Sequence, residues 1–174
     1  AVVNFTGAAI GAAGTFAMVM LAEAGLNLPL SVIAGLVVGT LIALLIGAVM
    51  VRWFSGAPAQ TKAAVTVALL VGLIALGLRV TGGQHPRPFP DLIPGQAFSV
   101  AGVYITNACL ASIAMALAFT VAATAYLQQT RTGLKLRALA ERPMTAALSG
   151  IPAKRLALGV WAVAGLATTL ALMI

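Results

Sequence analysis

Charge is what this sequence has least of. Only 7% of its 174 residues are charged, and the acids are three: Glu23, Asp91 and Glu141. A soluble domain of this length is about a quarter charged, so a soluble fold is excluded. None of the long apolar stretches carries a charge near its centre, where one costs about 2.5–3.5 kcal/mol on insertion scales and marks an ion or proton relay. Glu23 lies close enough to a segment end to reach the interface. A single cysteine, Cys109, sits in an apolar run and offers neither a disulfide nor metal-ligand spacing. The one histidine, His85, falls in a loop beside Arg87 and Asp91 with no partner on a rigid element, and Ser112 has no histidine near it in sequence. No His-Glu-x-x-His zinc motif and no phosphate-cradling glycine loop is present. Aromatic residues are 6% and do not interleave with the basic ones, so the net charge of +7 does not read as a nucleic-acid surface.

What is present is apolar: 61% of residues are hydrophobic. Crossing the hydrocarbon core takes about 20 apolar residues. Five stretches qualify, at about 4–25, 29–51, 62–80, 103–127 and 156–174, which predicts an all-α polytopic bundle forming one transmembrane domain over 1–174. The opening "AVVNFTGAAIGAAG" lacks a basic region and cleavage zone and does not read as a signal peptide. It begins within apolar sequence and "LATTLALMI" closes within it, so the chain reads as an internal piece of a longer protein. Between the third and fourth stretches, residues 79–96 hold four prolines and three glycines, which forbid a regular helix.

The basic residues set the expected orientation. Connectors 52–62 and 128–155 carry Arg52, Lys62, Arg131, Lys135, Arg137, Arg142, Lys154 and Arg155, while connectors 26–28 and 79–102 carry only Arg79 and Arg87. The first pair is therefore expected in the cytoplasm, and the proline-rich loop outside. Gly7, Gly11 and Gly14 in the first stretch, and Gly35, Gly39, Ala43 and Gly47 in the second, fall on common helix faces. Such columns of small residues let helix backbones approach closely in lipid. They predict a multi-helix bundle and nothing finer.

Polar residues in apolar sequence have two readings. Asn4, Thr6, Thr15, Thr40, Thr106 and Asn107 can hydrogen-bond between helices, or line a solute path. Asn4, Phe5, Thr6 and Asn107 are the candidates for the path, Asn4 foremost, because glycine-rich backbone follows it and irregular backbone at membrane depth lines cavities or is covered by protein.

The connector 128–155 is the most informative. Leu134, Leu136 and Leu139 make a short apolar face. Pro143 suits the first turn of a new helix, and Met144, Ala147, Leu148 and Ile151 follow at helical spacing. Gly150 suits a left-handed helix end, and Pro152 stops continuation. The pattern predicts two short helices bent at Arg142–Pro143. They would either rest on anionic lipid or dock into a protein groove. Large apolar anchors would favour lipid, whereas the small Ala146, Ala147 and Gly150 favour docking.

This connector, "RTGLKLRALAERPMTAALSGI", resembles the cytoplasmic coupling loop of ABC importer permeases of the high-affinity branched-chain amino-acid (Liv-type) family. Arg131, Thr132, Arg137, Ala138, Ala140, Pro143, Ala146, Gly150 and Ile151 match; Met144 and Thr145 stand where the family has Glu-Ala. The opening "VVNF" and the loop "PRPFP" at 86–90 are similar to family segments in the same order. The resemblance implies a permease subunit in a bacterial inner membrane, with the first and last helices of the family outside this stretch. Its partners would be a second permease subunit, two ATP-binding subunits and a periplasmic solute-binding protein. ATP and Mg would sit on those partners, with no cofactor or metal on this chain and no catalytic residue. Coupling would fall to Arg137, Glu141, Pro143, Met144, Ala146, Ala147, Gly150 and Ile151. The solute would be leucine, isoleucine or valine. Urea or short amides within the family, or a secondary carrier without ATPase partners, are the alternatives, and a membrane-embedded enzyme lacks a partnered nucleophile.

Overall fold

The computed structural model describes residues 5–82, 89–90, 92–100 and 103–174. Among these described residues, seven helices and one strand pair follow in the order α1 (Gly7–Glu23), α2 (Leu28–Trp53), α3 (Ala59–Val80), β1 (Gln96–Val100), β2 (Val103–Thr106), α4 (Asn107–Gln129), α5 (Arg131–Glu141), α6 (Pro143–Leu148) and α7 (Ala153–Met173). Helices α2, α3, α4 and α7 are long and apolar enough to cross a membrane, and α1 is a shorter apolar helix of 17 residues. The architecture is the expected all-α bundle.

Helices α3 and α7 each start three residues earlier than expected, and the first and fourth stretches differ for reasons the backbone shows. The first stretch, expected over about 4–25, is, among its described residues, helical from Gly7 to Glu23. Gly25 takes φ +91° and ends it: the Gly25 N–H donates to Ala22 O and the Leu26 N–H to Leu21 O, both at 3.1 Å. This is the left-handed closure that glycine adopts without a Cβ clash. The fourth stretch, expected to be helical from about Val103, instead opens with a strand. Val103–Thr106 is rich in β-branched and aromatic residues, which suit a pleated strand, and pairs antiparallel with Gln96–Val100, Phe98 opposite Ile105 and Ser99 opposite Tyr104. Helix α4 starts only at Asn107, where the Thr106 hydroxyl accepts from the Cys109 N–H at 3.3 Å.

Two compact units result, one of residues 1–90 and 157–173 and one of 91–156 with Ile174. In the first, the glycine columns become contact surfaces. A Cβ on Gly35 would stand 2.6 Å from the Gly14 carbonyl oxygen, and one on Gly14 would stand 2.8 Å from the Gly35 carbonyl. Helices α1 and α2 therefore cross backbone on backbone. Helix α7 lies along both columns. Thr168 meets Gly7 and Gly11, Thr169 meets Gly14 and Gly39, Met173 meets Gly35, Gly165 meets Ala43, and Trp161 covers Gly47. Thr169 is fully buried and satisfies its hydroxyl within its own helix, donating to Gly165 O at 2.7 Å. An apolar cluster of Ile10, Ala43, Ile46 and Met50 takes in Val65, Leu69 and Leu73 of α3 and Trp161 of α7. Lys62, at the start of α3, donates to Ser55 O at 2.9 Å and ties the α2–α3 connector.

The second unit joins the strand pair, α4, α5 and α6. None of the residues of α4 is buried in the chain. This 23-residue apolar helix is long enough to cross a membrane, where lipid or other membrane protein surrounds its exposed side chains.

Candidate functional site

The coupling candidates fall on one continuous piece of backbone. Thr130 is both the last residue beyond α4 and the N-cap of α5. Its hydroxyl donates to Tyr126 O at 2.7 Å and accepts from the Gly133 N–H at 3.0 Å. An N-cap hydroxyl of this kind satisfies a donor that the first turn otherwise leaves open, for about 1 kcal/mol. Gly133 is buried, and a Cβ there would collide with the Leu127 and Tyr126 carbonyl oxygens. The turn from α4 into α5 is thus closed from two sides.

Helix α5 places Leu136 and Leu139 in half-buried positions and leaves Arg137 and Glu141 exposed. The expected bend is present at Arg142, with φ −138° and ψ 77°, and α6 begins at Pro143. Backbone bonds run through the bend: Arg142 N–H to Ala138 O at 2.9 Å and Ala146 N–H to Arg142 O at 3.0 Å. Helix α6 ends at Leu148, and Gly150 takes φ +72° as anticipated, with nothing within 4 Å of the position a Cβ would occupy. Pro152 precedes α7. Pro143 at one end and Gly150 with Pro152 at the other thus bound a six-residue helix between two bends.

The face that α6 presents differs from the small one expected. Ala146 is turned into the chain, at 4% exposure, while Met144 and Leu148, one turn apart, stand out at 77% and 85%. Ile151 is half-buried. The reason is geometric. The face opposite Ala146 is the outward one, and i, i+4 spacing puts Met144 and Leu148 on it together. Pro143 and Ala147 lie within the helix backbone as expected. Leu148, which its spacing of four put on one face with Met144, was not among the coupling candidates, and the structure makes it the more exposed of the two.

The path candidates fall in separate units of the chain. Asn4 lies outside the described residues, as do His85, Arg87 and Asp91. Phe5 is exposed and Thr6 is fully buried at the start of α1, in the first unit. Asn107 belongs to the second unit, where it anchors the loop before the strand pair. Its side-chain amide donates to Pro94 O at 3.1 Å and its N–H to Gly95 O at 3.1 Å. Thr15 and Thr40 return their hydroxyls to their own helices, at Gly11 O and Leu36 O. Cys109 is a free, exposed thiol near the start of α4.

The arrangement is a set of apolar helices with a basic helix–bend–helix connector exposing two large apolar side chains. The family model described as "Branched-chain amino acid transport system / permease component" matches residues 1–174. Neither the curated proteins nor the solved structures contain a match. A match along the whole chain, together with the helical bundle and the bent connector, makes this a multi-pass membrane protein whose work is transport rather than enzymatic chemistry: the chain belongs to the family of permease components of branched-chain amino-acid transport systems.

Proposed function

We propose that this chain is the membrane subunit of an ATP-driven importer of leucine, isoleucine and valine in a bacterial inner membrane. The observation that carries the reading is the exposed pair Met144 and Leu148 on a short helix held between the Arg142 bend and the Gly150 turn. Large outward side chains are the mark set above for a helix resting on lipid, but Met144 and Leu148 are only two, on a helix of six residues, and the family match favours a groove on a soluble partner instead. That partner is an ATP-binding subunit. Two of them, with their ATP and Mg, work beneath this chain and a second permease subunit, and a periplasmic binding protein delivers the solute. Closure of the ATPase pair on ATP is then converted into helix movement through α6. Arg137 and Glu141, exposed on α5, flank the docking face and supply its polar rim.

The test is Leu148→Arg in the full transporter. Burying a leucine side chain contributes about 1.5–3 kcal/mol, and a buried unpaired guanidinium opposes docking outright. The variant inserts normally but loses ATPase co-purification and ATP-driven leucine uptake. Unimpaired co-purification and uptake would refute the docking role. Uptake of urea or short amides in place of leucine would move the solute assignment within the family, and leucine uptake without ATP would favour a carrier.

A further inference from the structure

Thr130 has no part in the docking face, yet its hydroxyl closes the α4–α5 turn from both sides, and this carries a consequence for coupling. The hydroxyl bridges the last turn of α4 and the first turn of α5, from Tyr126 O at 2.7 Å to the Gly133 N–H at 3.0 Å. The backbone adds Thr130 N–H to Tyr126 O at 3.2 Å and Leu134 N–H to Thr130 O at 3.0 Å. Gly133 brings α5 so close to the end of α4 that a Cβ would strike two of its carbonyl oxygens. On the other side of α6 the turn is held by backbone bonds, Ile151 N–H to Ala146 O at 3.2 Å and Ala153 N–H to Ile151 O at 2.8 Å, around a left-handed Gly150 with open space about it.

The geometry points to Thr130 and Gly133 as positioning residues that lock α4 and α5 into one bent rod, so that a push on α6 travels into α4. This rests on the reading of α6 as the ATPase-docking helix. Backbone bonds already carry α5 through the Arg142 bend into α6. The locked corner makes the lever continuous over residues 107–148. Helix α4 is suited to the output end, because among the described residues none of its own is fully buried. A tilt delivered at Gln129 is amplified along its 23 residues. Without the hydroxyl bridge the corner flexes, and movement at α6 is absorbed there.

The experiment compares Thr130→Val, Thr130→Ser and Leu148→Arg in the full transporter, reconstituted with its ATPase and binding protein. The readout is leucine moved per ATP hydrolysed, with ATPase co-purification as the measure of docking. Thr130→Val keeps the shape and removes both hydroxyl bonds. It retains co-purification and ATP hydrolysis, while leucine moved per ATP falls about tenfold, the equilibrium weight of one to two hydrogen bonds. Thr130→Ser restores the ratio. Should Thr130→Val fail to reach the membrane, Thr130→Gly replaces it, since glycine serves as an N-cap within a few tenths of a kcal/mol but cannot bridge. A wild-type ratio in the variant without the hydroxyl overturns the lever, provided Leu148→Arg uncouples. If Leu148→Arg also leaves coupling intact, the docking reading itself falls and the lever with it.

Discussion

Replacing Gly35 with alanine puts a methyl group where two helices meet backbone to backbone. The new Cβ would stand 2.6 Å from the Gly14 carbonyl oxygen, against 3.4 Å where ordinary contact begins, so α1 and α2 must part there by about 0.8 Å. The Cβ of Met18 at 2.9 Å blocks the sideways escape, and only Met173 Cε at 2.5 Å, the tip of a flexible chain, can swing away. A radial gap of 0.5–1 Å forfeits about a quarter to a half of each dispersion contact across the crossing, and overpacking of a tight core costs about 1–3 kcal/mol. Alanine returns about 0.5–1 kcal/mol as a better helix former. The net expectation is a loss of about 1–2 kcal/mol. Gly72, on α3, is the control: nothing lies within 4 Å of its Cβ position, so Gly72→Ala keeps only the helix-propensity gain. Thermal unfolding of the purified protein in lipid nanodiscs should show Gly35→Ala melting below the parent and Gly72→Ala at or above it. If the two variants shift the melting temperature alike, the close crossing of α1 and α2 is not what stabilises the bundle.

Gly150→Leu should uncouple ATP hydrolysis from uptake while leaving membrane insertion intact. The position at φ +72° has room for a side chain but charges an L-residue about 1–2 kcal/mol for that backbone; normal ATP-driven uptake would remove the turn from the mechanism. Asn4→Leu should change the leucine concentration dependence of uptake if Asn4 lines the path, and unchanged kinetics would return it to helix packing. Labelling of Cys109, exposed near the start of α4, should proceed from outside intact spheroplasts with a membrane-impermeant maleimide. Labelling only after the membrane is broken would invert the orientation read from the basic connectors.

Much of the fold was legible because the signals were local. Stretches of apolar residues gave α2, α3, α4 and α7, and Pro143, Gly150 and Pro152 gave both bends around α6, since each acts on its own backbone. The glycine columns announced close packing but not the partner. That Thr169 would fill the space between Gly14 and Gly39 depends on a helix more than a hundred residues away in the chain. The strand pair escaped for the same reason. Val103–Thr106 reads as the head of an apolar helix until Gln96–Val100 is there to pair with it. Of the candidate coupling residues, the backbone turns at Arg142 and Gly150 were readable, but the outward face was not. Periodicity put Met144, Ala147 and Leu148 together and could not say that Ala146 would be turned inward. Thr130 went unnoticed because a hydroxyl bridging two helices is indistinguishable in sequence from an ordinary loop threonine.

The central claim is that this family member moves branched-chain amino acids by coupling α6 to ATP hydrolysis in a partner. Leucine uptake into proteoliposomes holding the full transporter, with binding protein outside and ATP trapped inside, measures it directly. Uptake that requires both hydrolysable ATP and the binding protein, and that Leu148→Arg abolishes, is the predicted result; leucine accumulation of the same size in ATP-free vesicles would contradict it.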